Sequence, residues 1–283
     1  MSRDAKQTLR SVLLHVVLTA FTLVTLAPLL WVLKLAFNGS RRGLSSLSFL
    51  PEEPTLDNFR RVIGRSEDGV WVFGHHLWNS VVVSAATTVL GIALATTAAY
   101  AFSRFRFPGR RAGLLSFLVS QMFPGVLMLI PLYIVLQKLG LLNLKLGLIL
   151  VYSTTAIPFC VWMLKGYFDT IPRDLEESAR IDGASRFTIF WRIMLPLAMP
   201  AIAVTGLFSF MTAWNEFLLA YTFMNDPLAY TLPVEIQQYV GDQKVEWELF
   251  AASSVIVSLP VMALFYGLQK YLVGGLTAGA VKG

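Results

Sequence analysis

One carboxylate in this sequence stands where a charge is hard to accommodate. Glu216 lies in the long apolar stretch 197–224, with Asn215 and Trp214 immediately before it. If that stretch crosses a bilayer, a carboxylate inside it costs about 2.5–3.5 kcal/mol on insertion scales. Such a residue lines a pathway or gate, makes a structural hydrogen bond to a neighbouring helix or subunit, or sits near the external interface; the sequence leaves these open. Trp214, Asn215 and Glu216 together offer an aromatic face with amide and carboxylate edges. Those groups suit a sugar, although one cluster does not make a sugar site.

Other constellations are incomplete. Gly274 to Gly279 carry the glycine spacing of a phosphate loop, but Ala280 stands where the lysine is needed and no Gly-Lys-Ser/Thr follows. The chain is therefore expected to bind no cofactor and to hydrolyse no ATP. His15, His75 and His76 have no carboxylate or cysteine at metal-ligand spacing, so packing or interfacial roles are expected and no metal site. The single cysteine, Cys160, lies in an apolar run and excludes an intramolecular disulfide. No nucleophile stands beside a base of the kind an intramembrane hydrolase needs, so no catalytic residue is expected.

The segment 169–196 has a different character. Pro172 stops any helix entering from upstream. Asp174 can cap a new helix, with Glu177 three residues on to complete a capping box. That helix is expected to run to about Asp182, where Gly183 supplies the left-handed residue that ends it. Ser185 can then cap a second helix from Arg186 to about Leu195, whose onward course Pro196 interrupts or bends. Leu175, Ala179 and Asp182 share a side of the first helix. Phe187, Phe190, Trp191 and Met194 give the second an apolar face at helical spacing. The product is a helix–turn–helix, and on physical grounds alone either a docking element or an interfacial hairpin with no partner.

The elements that must hold these groups are membrane helices. The chain of 283 residues is 55% hydrophobic and 14% charged, with a mean hydropathy of +0.63. Soluble domains carry about 25% charged residues, so this chain has too little polar surface to dissolve. Six stretches, 11–37, 77–102, 112–136, 144–168, 197–224 and 249–273, are long enough to span a bilayer as helices. The first is longer than a signal-peptide core and lacks a small-residue cleavage site, so it is expected to remain as a helix. The whole is read as one all-α polytopic transmembrane domain, 1–283, with no internal repeat. It is thus half a translocation pathway in need of a partner subunit.

Charge orients the spans. Arg3, Lys6 and Arg10, then Arg104, Arg106, Arg110 and Arg111, then Lys165, Arg173, Arg180, Arg186 and Arg192, and finally Lys270 and Lys282 fall on one side. By the positive-inside rule that side, with both termini and the segment 169–196, is cytoplasmic. The loop 38–76, with Arg41, Arg42, Arg60, Arg61 and Arg65, runs against the rule but is long enough to be weakly constraining. The same distribution reads the net charge of +6 as topology rather than as a nucleic-acid surface. External loops are then 38–76, 137–143 and the acidic 225–248, which carries Asp226, Glu235, Asp242, Glu246 and Glu248 against Lys244. Lys34, at the outer end of the first span, is expected to snorkel to the interface. Gly91, Gly125 and Gly206 are expected at close helix contacts.

Several of these residues resemble a known family. Glu177-Ser178-Ala179, Gly183, Ile193 and Leu195-Pro196 are similar to the Glu-Ala-Ala…Gly…Ile-x-Leu-Pro loop of binding-protein-dependent ABC importer permeases, with Ser178 in place of the middle alanine. Asp182-Gly183-Ala184 resembles the fuller form in sugar permeases. Trp214-Asn215-Glu216 resembles a motif of the carbohydrate permeases, and the tail from Gly274 to Gly283 looks like that of the maltose/maltodextrin type. The resemblance implies that Glu177, Ala179, Asp182, Gly183, Leu195 and Pro196 form a coupling element for an ATPase, and that the tail, with Gly279, Lys282 and Gly283, also contacts it. It further implies a heterodimer with a second permease, two copies of an ABC ATPase that use the ATP and Mg, and an external sugar-binding protein, all at the cell inner membrane. The expected cargo is an oligosaccharide of the maltose/maltodextrin class. Another di- or oligosaccharide such as trehalose is the alternative, and an ion-coupled secondary transporter a more distant one.

Overall fold

A computed structural model describes residues 3–39, 48–241 and 245–280, which leaves Arg41, Arg42, Asp242, Lys244, Lys282 and Gly283 outside the described residues. The chain divides into two compact units, Met1–Phe73 with Ile236–Leu259, and Gly74–Glu235 with Pro260–Gly283.

In the first unit, α1 (Arg3–Ala36) is apolar on all sides between Arg10 and Lys34, and Leu13, Phe21 and Val24 are each more than 60% exposed. A helix without a polar face is built for lipid or for another chain. Its C-terminal carbonyls, which have no partner within the helix, are met by a side chain. Asn58 Nδ2 donates to Ala36 O at 3.1 Å and to Asn38 O at 2.9 Å. Lys34 does not snorkel; it is buried, with its ammonium 4.4 Å from the centre of the Trp31 ring. After α2 (Asp57–Ile63) a short hairpin pairs β1 (Ser66–Glu67) with β2 (Val70–Trp71). Asp68 and Gly69 both take positive φ between the strands, as a two-residue hairpin turn demands.

The second unit is a helical bundle. The elements that build it are α3 (Val72–Arg104), α4 (Arg110–Met122), α5 (Leu129–Lys138), α6 (Lys145–Thr170), α7 (Asp174–Ile181), α8 (Arg186–Ile189), α9 (Leu195–Trp214), α10 (Leu218–Phe223), α11 (Leu232–Gln237) and α12 (Trp247–Ala280), the last shared with the first unit. The middle of the bundle is α6, packed on α9 and α4, with Cys160, Val161, Leu164 and Phe168 fully enclosed. Gly91 faces Ser209, and Gly206 faces Thr88 and Ile92, so two of the three expected glycine contacts occur between α3 and α9. Gly125 does not make one; a Cβ there would meet open space.

Among the described residues five helices are long and apolar enough to cross a membrane. The stretch expected as the third span, 112–136, is a pair of helices, α4 and α5, bent by 97°. Proline explains the break. Phe123, preceding Pro124, is pushed out of the helical region to ψ 126°, and Pro124 follows it at ψ 125° before one 3-10 turn, Gly125–Met128, restarts the helix. The expected fifth span also ends early. Its helix stops at Trp214, and α10 begins only at Leu218.

Candidate functional site

Local chemistry shapes the segment 169–196 into a hairpin. Ile171, preceding Pro172, is extended and ends α6. The next helix starts one residue earlier than expected: Arg173 occupies the cap position without a side-chain bond, and Asp174 is the first helical residue. The capping box of Asp174 and Glu177 is therefore not formed; Asp174, Glu176 and Glu177 instead place three carboxylates in the first turn, where the helix dipole favours them. At the other end Gly183 has φ +84°. Ala184 N–H donates to Ala179 O at 2.9 Å and Gly183 N–H to Arg180 O at 3.0 Å, the bond pair that closes a helix through a left-handed glycine. Ser185 then caps α8 as expected, its Oγ accepting from Thr188 N–H at 3.1 Å.

Pro196 does not interrupt the second arm. Helix continues from Arg186 to Trp214 for 29 residues. A π-helical turn, Phe190–Met194, lies just ahead of the proline. Pro196 has no N–H to give the Arg192 carbonyl and its ring would crowd that oxygen in a regular α-turn; the wider turn relieves both problems.

The hairpin has an inner and an outer face. Ala179, Ile189, Phe190 and Met194 are buried. Leu175, Ile181, Phe187 and Trp191 are exposed, Ile181 to 87%, together with Glu177, Asp182 and Gly183. Of the apolar face expected on the second helix, Phe190 and Met194 pack inward, while Phe187 and Trp191 lie outside and pack on each other with ring centres 6.0 Å apart.

The inner face also holds a carboxylate that the sequence reading passed over. Glu176 is 4% exposed. It pairs with Arg104 Nε from the end of α3 and accepts from the Tyr100 hydroxyl at 3.1 Å. Arg104 Nη2 also donates to Ile171 O at 2.8 Å, so one guanidinium ties α3 both to the hairpin and to the residue that ends α6. Next to it, Ser103 Oγ donates to Asp169 at 2.6 Å, and Lys165 Nζ reaches the same carboxylate at 2.5 Å. A usable signal existed: Glu176 stands three residues before Ala179, on the same helical face.

The second polar locus surrounds Glu216, which lies in the break between α9 and α10 rather than inside a span. Its carboxylate accepts from the backbone N–H groups of Leu219 at 3.0 Å and Ala220 at 3.1 Å, so it caps α10. The Tyr152 hydroxyl donates to it at 2.8 Å from α6. It also lines a cleft of about 840 Å³ with Gln121, Phe123, Thr154 and Thr155, beside the bend between α4 and α5. Of the open sequence alternatives, the structural hydrogen bond to a neighbouring helix is formed, through Tyr152 of α6. Its neighbours face elsewhere. Trp214 is buried and stacked on Phe210 at 5.4 Å, and the Asn215 amide folds back on Met211 O at 2.9 Å.

The connection after α10 is less free than its acids suggest. Glu235 is buried, 2.9 Å from Nδ1 of His76, whose Nε2 lies 2.7 Å from Pro227 O. Asn79 donates to Leu228 O and Tyr230 O, so the start of α3 holds this connection at several points.

The model of the binding-protein-dependent transport system inner membrane component family matches residues 87–277. The chain belongs to this family. It is 39% identical to the maltose/maltodextrin transport system permease protein MalG of Vibrio vulnificus (strain YJ016), over 95% of each chain. It is also 39% identical to the galactooligosaccharides transport system permease protein GanQ of Bacillus subtilis (strain 168), over 95% of this chain and 94% of that one. Among solved structures, a chain of a bacterial ABC transporter involved in the import of the acidic polysaccharide alginate superimposes with a TM-score of 0.80. That similarity covers 96% of this chain and 98% of the other at 23% identity. As a family member the chain is a transport permease without catalysis of its own, ATP hydrolysis belonging to a separate subunit. The family match encloses Glu177, Ala179, Asp182, Gly183, Leu195, Pro196 and the Trp214–Asn215–Glu216 trio. Gly279, in the last turn of α12, falls beyond it.

Proposed function

We propose that this chain is the smaller permease subunit of an ABC importer that moves an oligosaccharide of the maltose/maltodextrin class, delivered by an external binding protein. The observation that carries the reading is near-full-length similarity to permeases of oligosaccharides, at 39% identity. A galacto-oligosaccharide is the second reading, favoured by an equal identity to the permease of that substrate.

In this reading α4 and α5 count as one broken span, which makes six and puts both termini in the cytoplasm with the arginine-rich connections. The hairpin's exposed edge, Glu177, Asp182 and Gly183 with Ile181, Phe187 and Trp191, enters a cleft of the ATPase subunit. Two such subunits bind ATP and Mg, a second permease completes the pathway, and the C-terminal tail from Gly279 to Gly283 adds a further ATPase contact. Motion at the hairpin passes along two routes. One is the buried Glu176–Arg104 pair, which links α7 to α3; the other is the unbroken helix from Arg186 to Trp214, which ends beside Glu216. Glu216 then acts at the gate: it holds α10 to α6 through Tyr152 while facing the cleft. The connection around Asp226–Glu248 meets the binding protein.

The test is sugar-stimulated ATP hydrolysis and uptake by the assembled complex with its cognate binding protein, across a panel of maltodextrins, galacto-oligosaccharides and trehalose. Stimulation by maltodextrins alone is expected. Uptake by this chain by itself, driven by an ion gradient, overturns the importer reading.

A further inference from the structure

The turn between α3 and α4 carries a groove to which the proposed function assigns no role. Arg106, Arg110 and Arg111 line a single groove of about 870 Å³ whose walls include Phe107, Leu114 and Leu115. Two acids of neighbouring elements, Glu176 and Asp169, are engaged by Arg104 and Lys165. Among the described residues no ion pair engages any of the three groove arginines. Arg110 is anchored, since its Nε donates to Phe102 O at 2.8 Å, and that bond sets its guanidinium at the groove.

The surroundings select the ligand. The groove lies where α3, a candidate span of 33 residues, ends and the apolar α4 begins. From it an apolar strip continues along α4, with Leu115, Leu118 and Val119 each about half exposed. A concentrated positive charge opening onto an apolar strip at a membrane boundary fits a molecule with an anionic head and an acyl tail. We infer that this groove binds the headgroup of an anionic phospholipid, with the phosphate on Arg106, Arg110 and Arg111 and an acyl chain along Leu115, Leu118 and Val119. An acidic protein surface would satisfy the arginines but leave that strip uncovered. Free phosphate would leave it uncovered too.

The experiment uses the chain in complex with the subunits it copurifies with, in detergent, titrated with phosphatidylglycerol or phosphatidylcholine and read by native mass spectrometry. The wild type should retain phosphatidylglycerol in preference to phosphatidylcholine. Each arginine near an anionic headgroup is worth about fivefold in affinity, so Arg106→Gln with Arg111→Gln should weaken retention by roughly ten- to thirtyfold. Replacing the same two by lysine should keep the preference, and millimolar inorganic phosphate should not displace the lipid. The inference is overturned if the glutamine variant keeps the wild-type preference, or if phosphate competes the lipid away. It is equally overturned if that variant loses the ATPase from the complex, which would make the groove a protein contact.

Discussion

Glu176 is a buried carboxylate and Glu216 a half-buried one, and their partners give them different work. Glu176 sits opposite a guanidinium with both groups 5% exposed. Removing one member of such a pair strands the other charge and costs about 3–5 kcal/mol. Glu176→Ala should therefore lower the denaturation midpoint of the purified complex sharply and loosen the hairpin, while Glu176→Gln, which keeps the shape and part of the hydrogen bonding, should fall between it and the wild type. Equal midpoints for the three proteins would show that the pair bears no load. Glu216→Ala leaves the Leu219 and Ala220 N–H groups without their acceptor, at about 1–3 kcal/mol. In the proposed gate role, uptake should fall more than sugar-stimulated ATP hydrolysis, and measuring both rates on one preparation checks this. The sequence made Glu216 conspicuous because its neighbours are apolar. Glu176 was hidden because it lies beside three other charged residues and only its spacing to Ala179 sets it on the inner face; its partner Arg104 is 72 residues away.

At the scale of elements, the hairpin's turn was readable from Gly183 and Ser185, whose roles depend on neighbours within five residues. The N-terminal cap was not. Arg173 took the position for which Asp174 was suited, because α7 enters directly from Pro172. Pro124 marks a place where a helix can kink, but the 97° size of the bend was not legible, because hydrophobicity reports length and says nothing of direction. Gly183 offers a clean test: φ +84° is open to glycine, costs other residues about 1–2 kcal/mol, and is closed to proline. Gly183→Ala should reduce coupling modestly. Gly183→Pro should abolish sugar-stimulated ATP hydrolysis while the protein still inserts into membrane, as read by fractionation. Full stimulation in the proline variant would remove the hairpin from the mechanism.

For the whole molecule, orientation is the question that organises everything else, and the sequence simplifies its measurement. Cys160 is the sole cysteine and is fully buried, so an introduced thiol should be labelled against little background. Ile181→Cys, at the most exposed large apolar residue of the hairpin, should react with a membrane-impermeant maleimide in inside-out vesicles stripped of ATPase. Rebinding the ATPase should protect it. Reaction in right-side-out vesicles would invert the topology. The π-turn at Phe190–Met194 has a consequence of another kind. Each residue in a regular helix turns the chain by about 100°, and a π-turn holds one residue more than α-geometry needs. The surplus residue therefore sets the compass bearing of the hairpin's exposed edge relative to the helix that ends at Trp214. Deleting it would leave composition and hydrophobicity almost untouched, yet swing the hairpin about a quarter-turn off its bearing. In this protein a single residue of length acts as an angular calibration.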